Sequence, residues 1–412
     1  MPDYKHNHYV PVWYQDRFFP AGHTGEKKFY YLDLKPEKRV SNGHVYYRDA
    51  LRRLGPDNCF AQHDLYTTRL DNWESTEIEQ RFFGPIDQNG RDAIGFFSAF
   101  DHLQFERETF DDLILFMSTQ KLRTPKGLGW LKSTLPAGAN NNQTLFALQR
   151  LQQMFGALWT EAVWLIGDAS ASDVKFLMSD HPITVYNAGC FPGSSWCRDF
   201  GDPDIALSGT HTLYPLSADK ILILTNLSWF RHPYGNPTRL RPNPNPFRNA
   251  LFDMRKIQVG RSFSRDEVLR INYIIKKRAL RYVAATNESW LYPENELGKV
   301  MWDCVAENHI LMPDPRSSLY STTITIGLAN GGAITIDEYG RQPGEPGFSW
   351  EGLDRDFETY HAFQAEFARL YGRRRRGRSY VFDQLCPEED SIETHARRLA
   401  DERRYKKHRH TK

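Results

Sequence analysis

The positions of apolar residues along the chain predict several β-strands. KFYYLDL at 28–34 alternates well enough to predict a strand with one buried face. Two later segments, VKFLMS at 174–179 and KILILTN at 220–226, are almost continuously apolar, which is typical of strands buried on both faces. Near the C-terminus, TTITIGLANGGAITID at 322–337 predicts a hairpin around an Asn-Gly-Gly turn.

Helical patterns fill much of the remainder. Thr76 and Glu79 have the spacing of a capping box, and Pro125 is expected to end a helix through DDLILFMSTQKL. The run at 145–167 predicts a buried helix rather than a membrane span, because it contains charged residues. A second capping box, Ser264 with Glu267, opens a helix whose broad apolar face is expected to continue to residue 283. GLDRDFETYHAFQAEFARLYG, ending at Gly372, predicts a further helix.

These elements together predict an α+β fold, with a helical region packed on a mixed or antiparallel sheet. The character of the sequence changes after about residue 290. We therefore expect three parts: a core domain at 1–290, a hairpin and helix addition at 291–372, and a basic tail at 373–412.

Composition and charge indicate the cellular compartment and the kind of partner. The chain has an odd number of cysteines, five, with no Cys-x-x-Cys pair, which favours a reducing compartment without a disulfide framework. The start resembles no signal peptide, so we expect a cytoplasmic protein without a membrane partner. Residues 373–412 carry 13 Lys and Arg against 7 Asp and Glu, so attraction to nucleic acid is expected there. The same segment is equally compatible with a solvated, fraying end.

Several segments, in order, resemble the bacterial and fungal family known as domain of unknown function 4238. The resemblance covers residues from about 6 to 287 and implies a shared fold unit and candidate residues, without implying a reaction. One family position that is usually Leu is Gln15 here. The matching segments are HYVPVWYQDRF from His8, QKLRTP from Gln120 to Pro125, FLMSDHPITVYN with Ser179, Asp180, Pro182 and Asn187, YPLSADKILIL, and INYIIKKRALRYVAA with Asn272.

His8 and the acidic residues are candidates for acid–base or metal chemistry. His8 beside Tyr9 could be a general base, a metal ligand or a core hydrogen-bonding group. Asp180 could orient His8 or help bind a divalent ion, although Ser-Asp-x-Pro also suits an Asx-turn. Glu79 and Asp87 could hold Mg²⁺ or Mn²⁺ across two helical turns, unless Pro85 breaks the helix between them. The capping box with Thr76 also explains Glu79.

Three further residues are candidates for binding substrate. Gln120 and Arg123 share one helix face, and Arg grips phosphate or carboxylate with two parallel donors. Asn272 is the third candidate, because it lies in a segment that resembles the family. A weaker candidate is a nuclease-like pattern of Asp173 and Lys175 with Glu161 as an earlier acid.

These residues support three hypotheses for function. The first is a hydrolase that cuts or modifies nucleic acid, in a defence or toxin setting. The second is a non-catalytic module that binds nucleic acid or protein, in which the same residues form a buried polar network. The third is a sensor that binds a nucleotide or another anion. The sequence lacks P-loop, Rossmann, His-Glu-x-x-His and Gly-x-Ser-x-Gly motifs, which argues against the corresponding enzyme classes, and it leaves the oligomeric state open.

Overall fold

The protein has an α+β fold in the computed structural model, which describes residues 6–41, 44–70, 73–75, 77–151, 155–241, 252–317, 323–337, 340–373, 375–381 and 386–409. The strands are β1 His6–His8, β2 Phe29–Asp33, β3 Lys38–Ser41, β4 His44–Tyr47, β5 Leu51–Leu54, β6 Ala61–His63, β7 Thr68–Leu70, β8 Trp73–Ser75, β9 Val163–Asp168, β10 Met178–Ser179, β11 Thr184–Tyr186, β12 His211–Pro215, β13 Lys220–Thr225, β14 Gln258–Ser262, β15 Tyr282–Ala285, β16 Thr323–Gly327 and β17 Ala333–Asp337. The α-helices are α1 Val12–Asp16, α2 Gly84–Ser98, α3 Arg107–Arg123, α4 Pro125–Thr134, α5 Asn141–Leu151, α6 Gly156–Glu161, α7 Leu227–Arg231, α8 Arg265–Arg278, α9 Pro293–Leu297, α10 Trp350–Tyr371 and α11 Ile392–Arg409.

Two sheets organise the core. The larger sheet has the order β11–β12–β13–β9–β14, antiparallel throughout except for the parallel pair β9–β14. The second sheet, β10–β15–β2–β5, is entirely antiparallel. Strand β13 lies between two neighbours and is buried along nearly its whole length, as its continuous apolar run predicts.

The helical region packs against the larger sheet through aromatic side chains. The ring of Trp164, on β9, lies 5.8 Å from that of Phe97 on α2 and 5.2 Å from that of Phe110 on α3. Helices α2 and α3 approach closely at Gly90, where an added Cβ would lie 2.3 Å from the ring of Phe116. The helices therefore form one continuous core with this face of the sheet.

Two predicted helices are shorter than expected. The run at 145–167 is not one helix, because it divides into α5, α6 and the central strand β9. Val163, Trp164 and Ile166 are β-branched or aromatic residues, which suit a strand, and hydrogen bonding to β13 decides the outcome. The helix α8 opens with the predicted capping box at Ser264 and Glu267 but ends at Arg278.

Long-range contacts also shorten the strand predicted at 174–179. Only Met178–Ser179 pairs as a strand. The preceding backbone is held instead by Asn272, whose Oδ1 accepts from Leu177 N at 2.9 Å and whose Nδ2 donates to Lys175 O at 2.8 Å.

The C-terminal elements follow the predicted pattern and pack against the rest. The hairpin of β16 and β17 and the helix α10 are confirmed, and α10 stops at Gly372, whose φ of 59° favours glycine. The boundary predicted near residue 290 does not coincide with a gap in packing. Val305, Ile310 and Leu311 are buried in the same cluster as α8.

Residues of the predicted basic tail also contact the core. Arg378 forms an isolated β-bridge with Val259, and Arg376 forms an ion pair with Glu267. On α11, Lys406 Nζ lies 2.6 Å from the carboxylate of Glu358 on α10. The described part of the tail is therefore docked through several of its basic residues.

None of the helices formed by the described residues is both long and apolar enough to cross a membrane.

Candidate functional site

The end of helix α3 presents polar side chains in two directions. Gln120 and Arg123 face the N-terminal segment and α2, whereas Lys121 faces a loop that carries Asp202. Pro125 then begins α4 directly, so that Lys126 joins Lys121. Two polar groupings are thus built from one short stretch of sequence.

The first grouping is centred on Arg123, whose side chain is only 2% exposed. Its Nη1 lies 2.7 Å from Asp87 Oδ1, and its Nε donates to Gln120 Oε1 at 2.7 Å. The guanidinium lies 5.5 Å from the centroids of the Phe83 and Phe116 rings. We call Arg123, Asp87, Gln120 and Glu79 the arginine network.

Gln120 and Arg123 are largely occupied by protein partners. The amide nitrogen of Gln120 donates to Tyr9 O at 2.8 Å, so both ends of this side chain are used. Among the described residues, Arg123 Nη2 has no hydrogen-bond partner, and it is buried. This arrangement fits a packing network better than a phosphate grip, since the guanidinium donors already point into protein.

Glu79 joins the same network from the π-helical turn Ile78–Phe83. Its carboxylate accepts a hydrogen bond from the amide of Asn7, which is buried on β1. Burial raises the pKa of Glu79 to about 7, although the Asn7 hydrogen bond and the charge of Arg123 oppose the shift. Thr76, its predicted capping-box partner, lies outside the described residues.

Glu79→Gln is expected to raise stability at alkaline pH. A carboxyl whose folded pKa is raised from 4.5 to about 7 loses stability as pH rises through that window, because the unfolded chain releases its proton first. The amide keeps an oxygen for Asn7 and removes the ionisation. After discounting for solvent screening, we expect a gain of about 1 kcal/mol at pH 8 that shrinks toward pH 5, measured by urea unfolding.

The matched control is Glu77→Gln, because Glu77 is exposed and pairs with Arg81 only at 3.5 Å. This control should change stability little at either pH. A Glu79→Gln variant that is less stable than the wild type at pH 8 would contradict the prediction.

The metal site predicted at Glu79 and Asp87 contains an arginine in the structure. The helix continues past Pro85, which lies in the first turn of α2, and the charge of Asp87 is near enough to contribute to the raised pKa of Glu79. The guanidinium of Arg123 lies 2.7 Å from Asp87 and supplies the positive charge that a metal ion was expected to supply. In the part of the chain that the structure describes, no group of three or more His, Cys, Asp or Glu side chains could hold a metal ion.

His8 lies outside the arginine network. Successive side chains of a strand point to opposite faces, so Asn7 is buried while His8 points away. The His8 ring meets Asp57 O at 3.0 Å, and burial lowers its pKa. It is the neighbouring Asn7 that contacts Glu79.

Asp180 is occupied by backbone N–H groups of the segment that follows α8. Its carboxylate accepts from the backbone N–H groups of Leu280, Arg281 and Tyr282 at 2.9, 2.6 and 2.8 Å. These bonds explain why α8 ends at Arg278 and the chain turns into β15. Asp180 is therefore a buried clamp between segments, and the described contacts do not bring it to His8 or Arg123.

The remaining predicted residues are separated. Asn272 forms hydrogen bonds with the backbone of Lys175 and Leu177. In the nuclease-like pattern, Asp173 pairs with Arg265, Lys175 Nζ lies 2.7 Å from Asp219, and Glu161 is buried 3.0 Å from Arg241. Because each has a different partner, the structure does not assemble this pattern into a site.

The second grouping surrounds a pocket that we call the lysine pocket, defined by Lys121, Lys126, His181 and Asp202. Asp202 Oδ2 lies 3.0 Å from Lys121 Nζ and 3.0 Å from His181 Nε2, and its Oδ1 lies 2.5 Å from Lys126 Nζ. The side chains of Lys121 and Lys126 are only 9% and 7% exposed. Two nearly buried ammonium groups thus share one carboxylate.

The charges in the lysine pocket shift two pKa values strongly. Burial would raise the pKa of Asp202, but Lys121 and Lys126 outweigh it and hold the pKa well below its ordinary value. Burial and the charge of Lys121 lower the pKa of His181 to about 4, so its ring is neutral at pH 7. A neutral His181 ring carries one proton. When Nε2 donates it to Asp202, Nδ1 is free to accept from the Thr124 hydroxyl, which lies 2.8 Å away.

Apolar side chains form the walls of the pocket, whose volume is about 250 Å³. Phe200 is 39% exposed at the rim, and an added Cβ on Gly129 would lie 2.5 Å from its ring. At Gly127 an added Cβ would lie 2.2 Å from Lys121 O, so glycine lets α4 pack onto the end of α3. The wall residues are Leu122, Trp130, Phe155, Leu158, Phe200, Pro203 and Ile205.

Arg278 ties the loop that carries Asp202 to helix α8. Its Nη2 donates to Cys190 O at 2.5 Å, and its Nη1 lies 2.6 Å from Cys197 Sγ. The carbonyl of Arg278 accepts from Lys126 Nζ at 2.8 Å. Arg278 therefore contacts both this loop and Lys126 of the pocket.

The sequence predictions missed the lysine pocket although two of its members lie inside quoted motifs. Lys121 is the second residue of QKLRTP, and His181 is the variable position of SDHP. The available signal was a lysine within an otherwise apolar helix end. Asp202 had no local signal, because it lies 81 positions from Lys121 in a loop of mixed composition.

Comparison of the chain with protein-family models, with curated proteins and with solved structures gives no match. The resemblance to domain of unknown function 4238 and the predicted nucleic-acid hydrolysis therefore stay predictions.

Proposed function

We propose that the protein binds a compact anion in the lysine pocket, with a carboxylate or phosphate against the lysines and an apolar ring against the walls. The observation that carries this proposal is the pair of nearly buried ammonium groups, Lys121 and Lys126, sharing the single carboxylate of Asp202. Pockets that combine apolar walls with a few convergent polar groups are the usual form of small-molecule sites.

The balance of charge favours an anion. Lys121, Lys126 and Arg278 are positive, whereas Asp202 and Asp180 are the acids that act on this group, and His181 is neutral at pH 7. One positive charge remains at the floor of the pocket. Asp204 at the rim is exposed, so water screens it.

The volume limits the size of the ligand. Pockets that hold drug-sized molecules typically measure roughly 300–1,000 Å³, and this pocket measures about 250 Å³. A single ring or a short chain fits this space better than a nucleic-acid strand. The proposal is closest to the anion sensor considered from the sequence, but it uses other residues of the same helix end.

Binding of benzoate and phenyl phosphate to the full chain, measured by isothermal titration calorimetry, tests this proposal. We expect either anion to bind at least tenfold more tightly than neutral benzyl alcohol, because a hydrogen bond to a charged group contributes about 1.5–3 kcal/mol. Lys126→Met should weaken anion binding by about 10–100-fold. Lys132→Met, which changes an exposed lysine on the same helix α4, should leave the affinity unchanged.

The comparison of benzoate with benzyl alcohol on the wild type tests the proposal even if Lys126→Met fails to fold. Equal affinity for the charged and neutral rings, or no binding of either anion, would overturn it.

A further inference from the structure

We propose that the ε-amino group of Lys121 forms an imine with an aldehyde or ketone carbonyl on the anion held in the lysine pocket. This inference rests on the anion binding proposed above. It assigns different roles to the two lysines: Lys126 holds the negative group, and Lys121 is the nucleophile.

The hydrogen bonds of the two lysines support this division. Lys126 Nζ donates to Arg278 O at 2.8 Å and to Asp202 Oδ1 at 2.5 Å, two acceptors that favour a permanent ammonium. Lys121 Nζ has one close anionic partner, Asp202 Oδ2 at 3.0 Å, and lies 3.3 Å from His181 Nε2 and 3.5 Å from Ile183 O.

The crowding of Lys121 and Lys126 on the single carboxylate of Asp202 makes the proton of Lys121 easier to remove than that of an exposed lysine. Burial lowers its pKa, Asp202 opposes the shift, and the positive charges of Lys126 and Arg278 lower the pKa further. Loss of one proton from Lys121 relieves its repulsion with Lys126 and Arg278. A lysine in an apolar site beside another cation is a recognised arrangement for a nucleophilic amine.

The reaction requires no oxidant or reductant. Lys121 first releases one proton to water. The lone pair of its Nζ then attacks the carbonyl carbon, a C–N bond forms, and the nitrogen passes one proton to the former carbonyl oxygen to give a neutral carbinolamine. Water next supplies a proton to the hydroxyl, the C–O bond breaks, and the hydroxyl leaves as water while the C=N bond forms; the nitrogen finally returns one proton to water. One primary amine and one carbonyl thus give one imine and one water.

The pocket walls indicate the class of ligand. Trp130, Phe155 and Phe200 provide aromatic surfaces, which suit a flat ring. The expected ligand is a small molecule with a carbonyl and an anionic group at separate positions, such as an aromatic aldehyde that carries a carboxylate or phosphate.

Reductive trapping tests this inference on the full chain. The protein is incubated with 4-formylbenzoate, reduced with sodium borohydride, digested and analysed by mass spectrometry. We expect the amine adduct on Lys121 at a level at least tenfold above that on exposed Lys132, and excess benzoate should reduce the Lys121 adduct severalfold by competing for the pocket. Lys121→Arg should lose the adduct, whereas Lys132→Met should leave the Lys121 adduct unchanged.

The possible outcomes separate the two proposals. If benzoate binds but Lys121 remains unlabelled, or if Lys126 carries the adduct instead, the imine inference is overturned and the proposed anion binding stands. Labelling of Lys121 that benzoate does not reduce would also overturn it, because the adduct would then not depend on the pocket. If benzoate does not bind, both proposals fail.

Discussion

Asp202→Ala is expected to lower the free energy of unfolding by about 3–5 kcal/mol, the range for removing one partner of a buried ion pair. The substitution leaves two ammonium groups, those of Lys121 and Lys126, facing each other without the carboxylate that they share. It also removes the hydrogen-bond partner of His181 Nε2 at 3.0 Å. Urea unfolding followed by tryptophan fluorescence measures the loss.

A small anion should partly repair this variant. Acetate that enters the space left by the Asp202 side chain would restore a negative charge between the lysines, and binding to the folded state alone stabilises by mass action. We therefore expect acetate to raise the stability of Asp202→Ala more than it raises that of the wild type.

The matched control is Asp16→Ala. Asp16 pairs with Lys27 at 3.6 Å, and the two side chains are 42% and 70% exposed, so its loss should amount to at most about 1 kcal/mol. A similar small loss for Asp202→Ala would show that the shared carboxylate does not hold the pocket together.

Arg123→Ala is the second substitution with a large expected effect, again about 3–5 kcal/mol. It leaves the carboxylate of Asp87 and Gln120 Oε1 without the donors that lie 2.7 Å away. It also removes the buried guanidinium from its contacts with the rings of Phe83 and Phe116. The measurement is again urea unfolding at neutral pH.

Arg69→Ala is the control, since Arg69 has two close carboxylates, Asp64 at 3.0 Å and Glu74 at 2.8 Å, but is 56% exposed. We expect little change in stability there, because an exposed ion pair contributes little. In a double-mutant cycle, Arg123→Ala with Asp87→Ala should cost less than the two single changes added together, because they remove one shared interaction.

This result would decide between two roles for Arg123. A residue held ready for a phosphate ligand could be removed with little loss of stability, whereas a member of a packing network could not. A loss below about 1 kcal/mol for Arg123→Ala would therefore favour the ligand-binding role predicted from the sequence.

Part of the candidate chemistry could be predicted from the sequence. Gln120 and Arg123 were expected on one face of a helix, and Glu79 and Asp87 were expected to approach each other across two helical turns. The structure brings these four residues into one network. Their roles were not readable from sequence, since a guanidinium that grips a ligand and one that pairs with a neighbouring helix have the same local pattern. His8 was expected in the site, but strand alternation turns Asn7 inward in its place.

The sequence alone determined the features whose signals lie within a few residues of one another. Pro125 separates α3 from α4, Ser264 and Glu267 start α8, and Asn330 with two glycines turns the last hairpin. Each depends on backbone geometry or a hydrogen bond that a short segment supplies for itself.

Only the tertiary structure decided where helix α8 ends and which polar groups meet. Asp180 captures three backbone N–H groups about one hundred residues away, and that competition turns a helix-like run into β15. Asp202 reaches Lys121 and Lys126 across a similar separation. The physical reason is that a buried charge is tolerated only beside its partner, and in this chain those partners come from distant segments that folding brings together.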